Sequence, residues 1–146
     1  MDKAIHLELR YPNLAKTNYT VTSPKSQEYN CFAWAAGDKE RWWQPTPEEE
    51  FYWVDGVPLE ETLSAYILAY QTLGYEPCDG AYLELGYEKI ALYINHDGIP
   101  VHAARQLSTG KWTSKLGALE DIEHELDGLI GERYGKVGKV LKRLIS

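Results

Sequence analysis

The chain has 146 residues, 44% hydrophobic and 25% charged, with a formal net charge of -7. That length and mix suit one globular domain over residues 1–146, with a core that needs no disulfide or metal as a staple. The acidic balance excludes sequence-independent binding to nucleic acid or to an anionic membrane surface, since both need a basic face.

In chain order, "KAIHLELRYPNL" opens as a short helix stopped by Pro12, and "KTNYTVTSP" follows as an extended segment. No secretory h-region precedes them and no apolar run reaches the length of a membrane span, so a cytoplasmic location is expected. From Asn30 the run "CFAWAAG" predicts a helix with Asn30 as N-cap and Gly37 as its stop, which puts Cys31 in the first turn. "RWWQPTPEEEFYWVDGVP" predicts an irregular loop pinned by ring packing. "PLEETLSAYILAYQTLG" predicts a helix with Pro58 at N1, an apolar face of Leu59, Leu63, Tyr66, Ile67, Tyr70 and Leu73, and Gly74 at C′. "GYEKIALYIN", "PVHAARQL" and "KWTSKL", separated by "HDG" and "STG", read as an antiparallel meander. The acidic "EDIEHELD" reads as a helix, and "KVGKVLKRL" as the cationic last turns of a surface helix or a terminal strand. The sum is an α+β domain with a Cys-bearing N-terminal helix on a small antiparallel sheet of three to five strands.

A thiol in a first helical turn gains nucleophilicity when free N–H groups and the dipole lower its pKa, and Cys31 is placed for that effect. The same "CFAWAA" would also suit a small core helix with a buried, inert cysteine. Of the four histidines, His6 lies in the N-terminal wrap, His96 in a polar turn and His124 in the acidic helix, all surface settings. His102, inside the apolar run "VHAARQL", is the candidate general base, with a packed core histidine as the competing reading. A third residue must orient its ring. A three-residue "STG" loop with Gly110 left-handed pairs Leu107 with Lys111 and Ala104 with Ser114, so Ser114 shares the His102 face. A two-residue "TG" loop brings Thr113 and Lys115 there instead. Gln106, on the His102 face by its even offset, and Asp121 are the other candidates. The oxyanion of an acyl-transfer step would fall to the Cys31 N–H with Gln27 or Tyr29. Cys78, beside Pro77 and Asp79, reads as structural.

The order of cysteine at a helix start, helical middle, then histidine on a meander strand resembles the papain-like architecture in its compact NlpC/P60 and CHAP form. In that group a residue about a dozen positions after the histidine orients the ring, and here that position holds Ser114. The segments "YNCFAWAAGD", "RWW", "YW", "GYEKIALYI" and "HAARQLSTGKWTSKLGALEDIEH" together are similar to an uncharacterised bacterial domain family of unknown function, over most of the chain. The layout implies a cysteine hydrolase or acyl transferase acting on an amide or peptide bond, with a peptide or protein as substrate.

Zinc could use His96, His102, His124 and one cysteine, but no C-x-x-C or H-E-x-x-H spacing occurs. Nucleotide-binding glycine patterns are also missing, so no metal or cofactor is expected. Glu48, Glu49 and Glu50 form a solvated cluster in a Pro-flanked loop rather than a glycosidase pair. The alternative from a different class is a non-catalytic protein-interaction or immunity-type domain, with Trp42, Trp43, Trp53 and Trp112 as a docking surface. No motif specifies an oligomeric state.

Overall fold

The computed structural model describes residues 4–145. Its strands are β1 (Tyr19–Ser23), β2 (Glu76–Cys78), β3 (Tyr87–Ile94), β4 (Pro100–Gln106), β5 (Trp112–Lys115), β6 (Asp121–His124) and β7 (Lys136–Leu144). They form one seven-stranded antiparallel sheet in the order β1-β6-β5-β4-β3-β7-β2. Three short helices, α1 (Ile5–Arg10), α2 (Cys31–Ala35) and α3 (Leu63–Gln71), and two 3-10 turns, Pro12–Lys16 and Leu126–Leu129, pack on it. The α+β class is the expected one, with a wider sheet.

Alternation along the strands divides the core in two. Ile90, Leu92, Ala103 and Leu141 face α2 and α3, where Cys31, Phe32, Trp43, Trp53, Tyr66 and Tyr70 complete one cluster. Ala91, Tyr93, Ala104, Trp112, Ile122 and Val140 face α1 and the 3-10 turns, where Leu7, Tyr11, Leu14 and Leu129 complete the other.

The extra width comes from segments that read otherwise in the sequence. "DIEH" is β6, not helix: it pairs on one side with β5 and on the other with β1, Tyr19 opposite His124. "KVGKVLKRL" is β7, an interior strand that runs along the length of β3 with the edge strand β2 on its other side. Neither is a surface helix, because ladder pairing on both edges outweighs the helix propensity of Glu, Leu and Lys. β2, with Pro77 on the sheet edge, pairs with β7 and had no sequence signal. α3 starts five residues beyond Pro58, at Leu63, because the Thr62 hydroxyl accepts from Ala65 N at 3.2 Å and caps it there. Leu59 is consequently exposed.

The hairpin between β4 and β5 has the three-residue register. Leu107 N donates to Lys111 O at 2.7 Å, Gln106 lies opposite Trp112, and Gly110 has φ 92°. Beyond Arg105 and Thr113 no ladder joins β4 to β5, and that opening is where the candidate site lies.

Candidate functional site

Asn30 fixes the entry into α2. Its Oδ1 accepts from Ala33 N at 3.1 Å and from Trp43 N at 3.1 Å, and its Nδ2 donates to Trp43 O at 2.7 Å. The cap sets Cys31 as the first helical residue and clamps the aromatic loop to it. The thiol is 6% exposed. The N–H groups of Ala103, Phe32 and Cys31 itself face the sulfur, but burial outweighs them and pushes the thiol up to about 12. The expected lowering is thus reversed: α2 has five residues, too few for a strong dipole, and the sulfur sits inside the core cluster.

His102 is fully buried on the opposite face, its ring stacked on Tyr134 (4.0 Å, 10°) and edge-on to Tyr93. His102 Nε2 lies 2.9 Å from Ser114 Oγ, and Ser114 Oγ lies 2.7 Å from His124 Nε2. His124 Nδ1, 2.8 Å from the Glu125 carbonyl, can only donate there. Counting protons along this chain fixes every tautomer. His124 Nε2 must accept from the Ser114 hydroxyl, whose oxygen then accepts from His102 Nε2–H, leaving His102 Nδ1 as a bare lone pair. That atom is buried and has no hydrogen-bond partner among the described residues. Burial holds both imidazoles neutral, His124 at about 4 and His102 well below the usual histidine range, with the neighbouring His124 charge as the second cause for His102.

Cys31 and His102 share no hydrogen bond among the described residues, so the expected thiol–imidazole pair is not formed in this state. Their side chains enter different cores from the two sides of β4. They meet at its backbone, where the sulfur faces the N–H of Ala103, the residue after His102, along the stretch with no β5 ladder.

The other expected residues divide clearly. Ser114 lies on His102. Tyr29 is buried, and its hydroxyl donates to Asp121 Oδ2 at 2.7 Å, so it is not free for an oxyanion. Asp121 is buried on the α2 side and makes no bond to His102, because it pairs across from Lys115. Gln106 Nε2 donates to Ala81 O at 2.9 Å and does not orient His102. Gln27 is exposed and lines a cleft of about 460 Å³ with Trp42 and Tyr52. Lys115 Nζ donates to the carbonyls of Ser26 and Leu119, each at 2.7 Å, and to that of Gly117, holding the segment before Cys31 against the β5–β6 turn.

Two members of the site escaped sequence reading. His124 is buried, not on a surface helix, and its role depends on the β1 and β5 pairing. Tyr134 is carried by a loop closed by Gly131 N to Gly135 O (3.0 Å) and Gly135 N to Gly131 O (2.7 Å), for which "GERYG" was the only hint. The Trp docking surface is not formed either. Trp43, Trp53 and Trp112 are 4%, 9% and 3% exposed, and only Trp42 of the four borders the cleft. Cys78 is half-buried and free, its Sγ donating to Gly80 O at 3.6 Å.

Among the described residues, no three His, Cys, Asp or Glu side chains converge to hold a metal ion, and no helix is long and apolar enough to cross a membrane. Comparison with curated proteins and with solved structures gave no match. A family model does match residues 20–142, which hold Cys31, His102, Ser114, His124 and the cleft, and the chain belongs to that family, a domain of unknown function (DUF7689).

Proposed function

We propose that the chain is a cysteine hydrolase or acyl transferase of papain-like layout, acting on an amide or peptide bond through Cys31 and His102. The reading is carried by the bare Nδ1 of His102, at the end of a hydrogen-bonded relay and next to the residue whose N–H meets the Cys31 sulfur. A core histidine gains nothing from an unpaired buried lone pair, which costs about 1–3 kcal/mol. A general base needs one.

The reaction requires the thiol to leave the Ala103 N–H and pass along the stretch of β4 that has no β5 ladder to reach Nδ1, to which it gives its proton as sulfur bonds to the substrate carbonyl carbon. Both groups are neutral at rest, so this is general-base catalysis rather than a preformed ion pair. The carbonyl oxygen takes the negative charge and is met by the Cys31 N–H with Gln27, since Tyr29 is committed to Asp121. Nδ1–H returns the proton to the departing amine as the C–N bond breaks, leaving a thioester. Water or an amine, deprotonated by Nδ1, then attacks the thioester carbon, the C–S bond breaks to release the acyl group, and Nδ1–H returns its proton to the sulfur. Ser114 and His124 act through His102 by holding its Nε2 protonated.

The test is acylation by p-nitrophenyl acetate, read by intact mass and peptide mapping. Acetyl should accumulate on Cys31 in the wild type and fall at least tenfold in a folded His102→Ala protein, with a partial fall in Ser114→Ala. Equal labelling of Cys31 in wild type and His102→Ala overturns the reading. It would leave the second one, favoured by the burial of the thiol: a non-catalytic interaction domain.

A further inference from the structure

The cleft beside Gln27 has a chemistry of its own. Trp42, Phe51 and Tyr52 wall it, and Glu28, Glu40, Glu49 and Glu50 border it, with Arg41 the only cation among its lining residues. The wall is well fixed: Tyr52 N donates to Trp42 O at 2.8 Å, Gln44 N to Tyr52 O at 2.9 Å, and Trp43 is clamped by Asn30. Arg41 does not neutralise the border, because its Nε is ion-paired with Asp38 Oδ2 at 2.8 Å. Its guanidinium lies 3.7 Å from the centre of the Tyr52 ring, so the aromatic wall already carries one cation in stacked geometry. Among the described residues, none of the four glutamates is ion-paired, and all four are exposed.

We infer that this cleft takes a lysine- or arginine-bearing peptide segment, with the aliphatic stem and cationic head against the aromatic wall and the glutamates supplying the counter-charge. Charge complementarity selects that occupant: a net four carboxylates beside rings that bind cations would repel an acidic peptide or a nucleic acid strand. The volume, about 460 Å³, is within the range of ligand sites. As the cleft begins at Gln27 and Glu28, just before Cys31, the peptide would be the substrate of the reaction proposed above, and that assignment rests on the cysteine hydrolase reading.

Binding is measurable without turnover. In Cys31→Ser protein, fluorescence anisotropy would compare a fluorescein-labelled Ala-Lys-Ala-Lys-Ala peptide amide with its Glu counterpart, at low and high salt. The Lys peptide should bind at least tenfold tighter, weaken as salt rises, and lose about fivefold or more in Glu49→Gln/Glu50→Gln and in Trp42→Ala. The exposed Glu→Gln pair guards against a folding defect in the tryptophan variant. Equal binding of the two peptides, no saturable binding of the Lys peptide, or affinity unchanged in the Glu→Gln pair overturns the inference. The acetylation assay uses no peptide, so either result can fail while the other stands.

Discussion

Lowering the pH should destabilise the fold through His124 in a window set by its surroundings. The imidazole titrates at about 4 in the folded chain against 6.5 unfolded. Between those values the unfolded chain binds a proton that the folded chain refuses, so stability is full above pH 6.5 and is lost as pH falls towards 4. The difference of about 2.5 pH units corresponds to roughly 3 kcal/mol, a large share of the stability of a domain this size. His102, lowered for the same reason and also by His124, acts in the same direction. Carboxylates held low, such as Asp38 and Glu120, lose their contribution at lower pH, and Asp121, held high, acts oppositely. Comparing wild type with His124→Gln at each pH cancels the carboxylate contributions, and the His124 part of the His102 shift goes with His124. A glutamine oxygen can accept from the Ser114 hydroxyl, but the donor to the Glu125 carbonyl is lost. The variant should therefore be less stable by about 1–2 kcal/mol at pH 7.5. Urea unfolding at steps from pH 7.5 to 4 should show that gap close and then reverse, since only the wild type pays for protonating position 124. A gap constant to within about 0.5 kcal/mol across the range would refute the reasoning.

Iodoacetamide at pH 7 should modify Cys31 more slowly in the folded protein than in urea, because burial raises its thiol to about 12; equal rates in the two states, read by peptide mapping, would contradict that burial. Asn30→Ala removes the N-cap and both bonds to Trp43, and should cost about 2–4 kcal/mol in denaturant unfolding, against under 1 if the loop were held by ring packing alone. Gly135→Ala should disrupt the loop that carries Tyr134, because a Cβ there would lie 1.9 Å from Ile94 O at a φ of 67°. A melting temperature within a degree or two of wild type would show that the loop yields easily.

What could be read from the sequence was local. Asn30 before an Ala-rich run gives the cap and the place of Cys31 without knowledge of the rest of the fold. "STG" narrows the β4–β5 register to two, and the three-residue loop with a left-handed Gly110 is the one formed. That register placed Ser114 on the His102 face. The C-terminal third misled because Leu119, Ile122, Leu126 and Leu129 recur at intervals of three and four residues, the spacing of a helix face. The pairing that overrides it, Tyr19 with His124, joins residues more than a hundred positions apart and leaves no trace in a local window. His124 was lost with it, and so was the relay that sets the His102 tautomer. The thiol pKa was misjudged for a related reason. A helix start is visible in sequence, whereas the desolvation that outweighs it comes from burial in the core cluster that includes Tyr66 and Tyr70, assembled only by the fold.

The three carbonyls around Lys115 have a consequence for how this sequence can drift. All are main-chain atoms, so the ammonium is indifferent to which side chains stand at Ser26 and Leu119, provided that the chain path is kept. Position 115 has no such freedom. A neutral residue there leaves carbonyls facing one another without a donor, and an arginine must fit a planar fork where a compact ammonium now sits. Among homologues, the segment leading into Cys31 should therefore vary in its side chains while the lysine 84 residues later does not, a pattern that would hide the connection from any comparison confined to the neighbourhood of the cysteine.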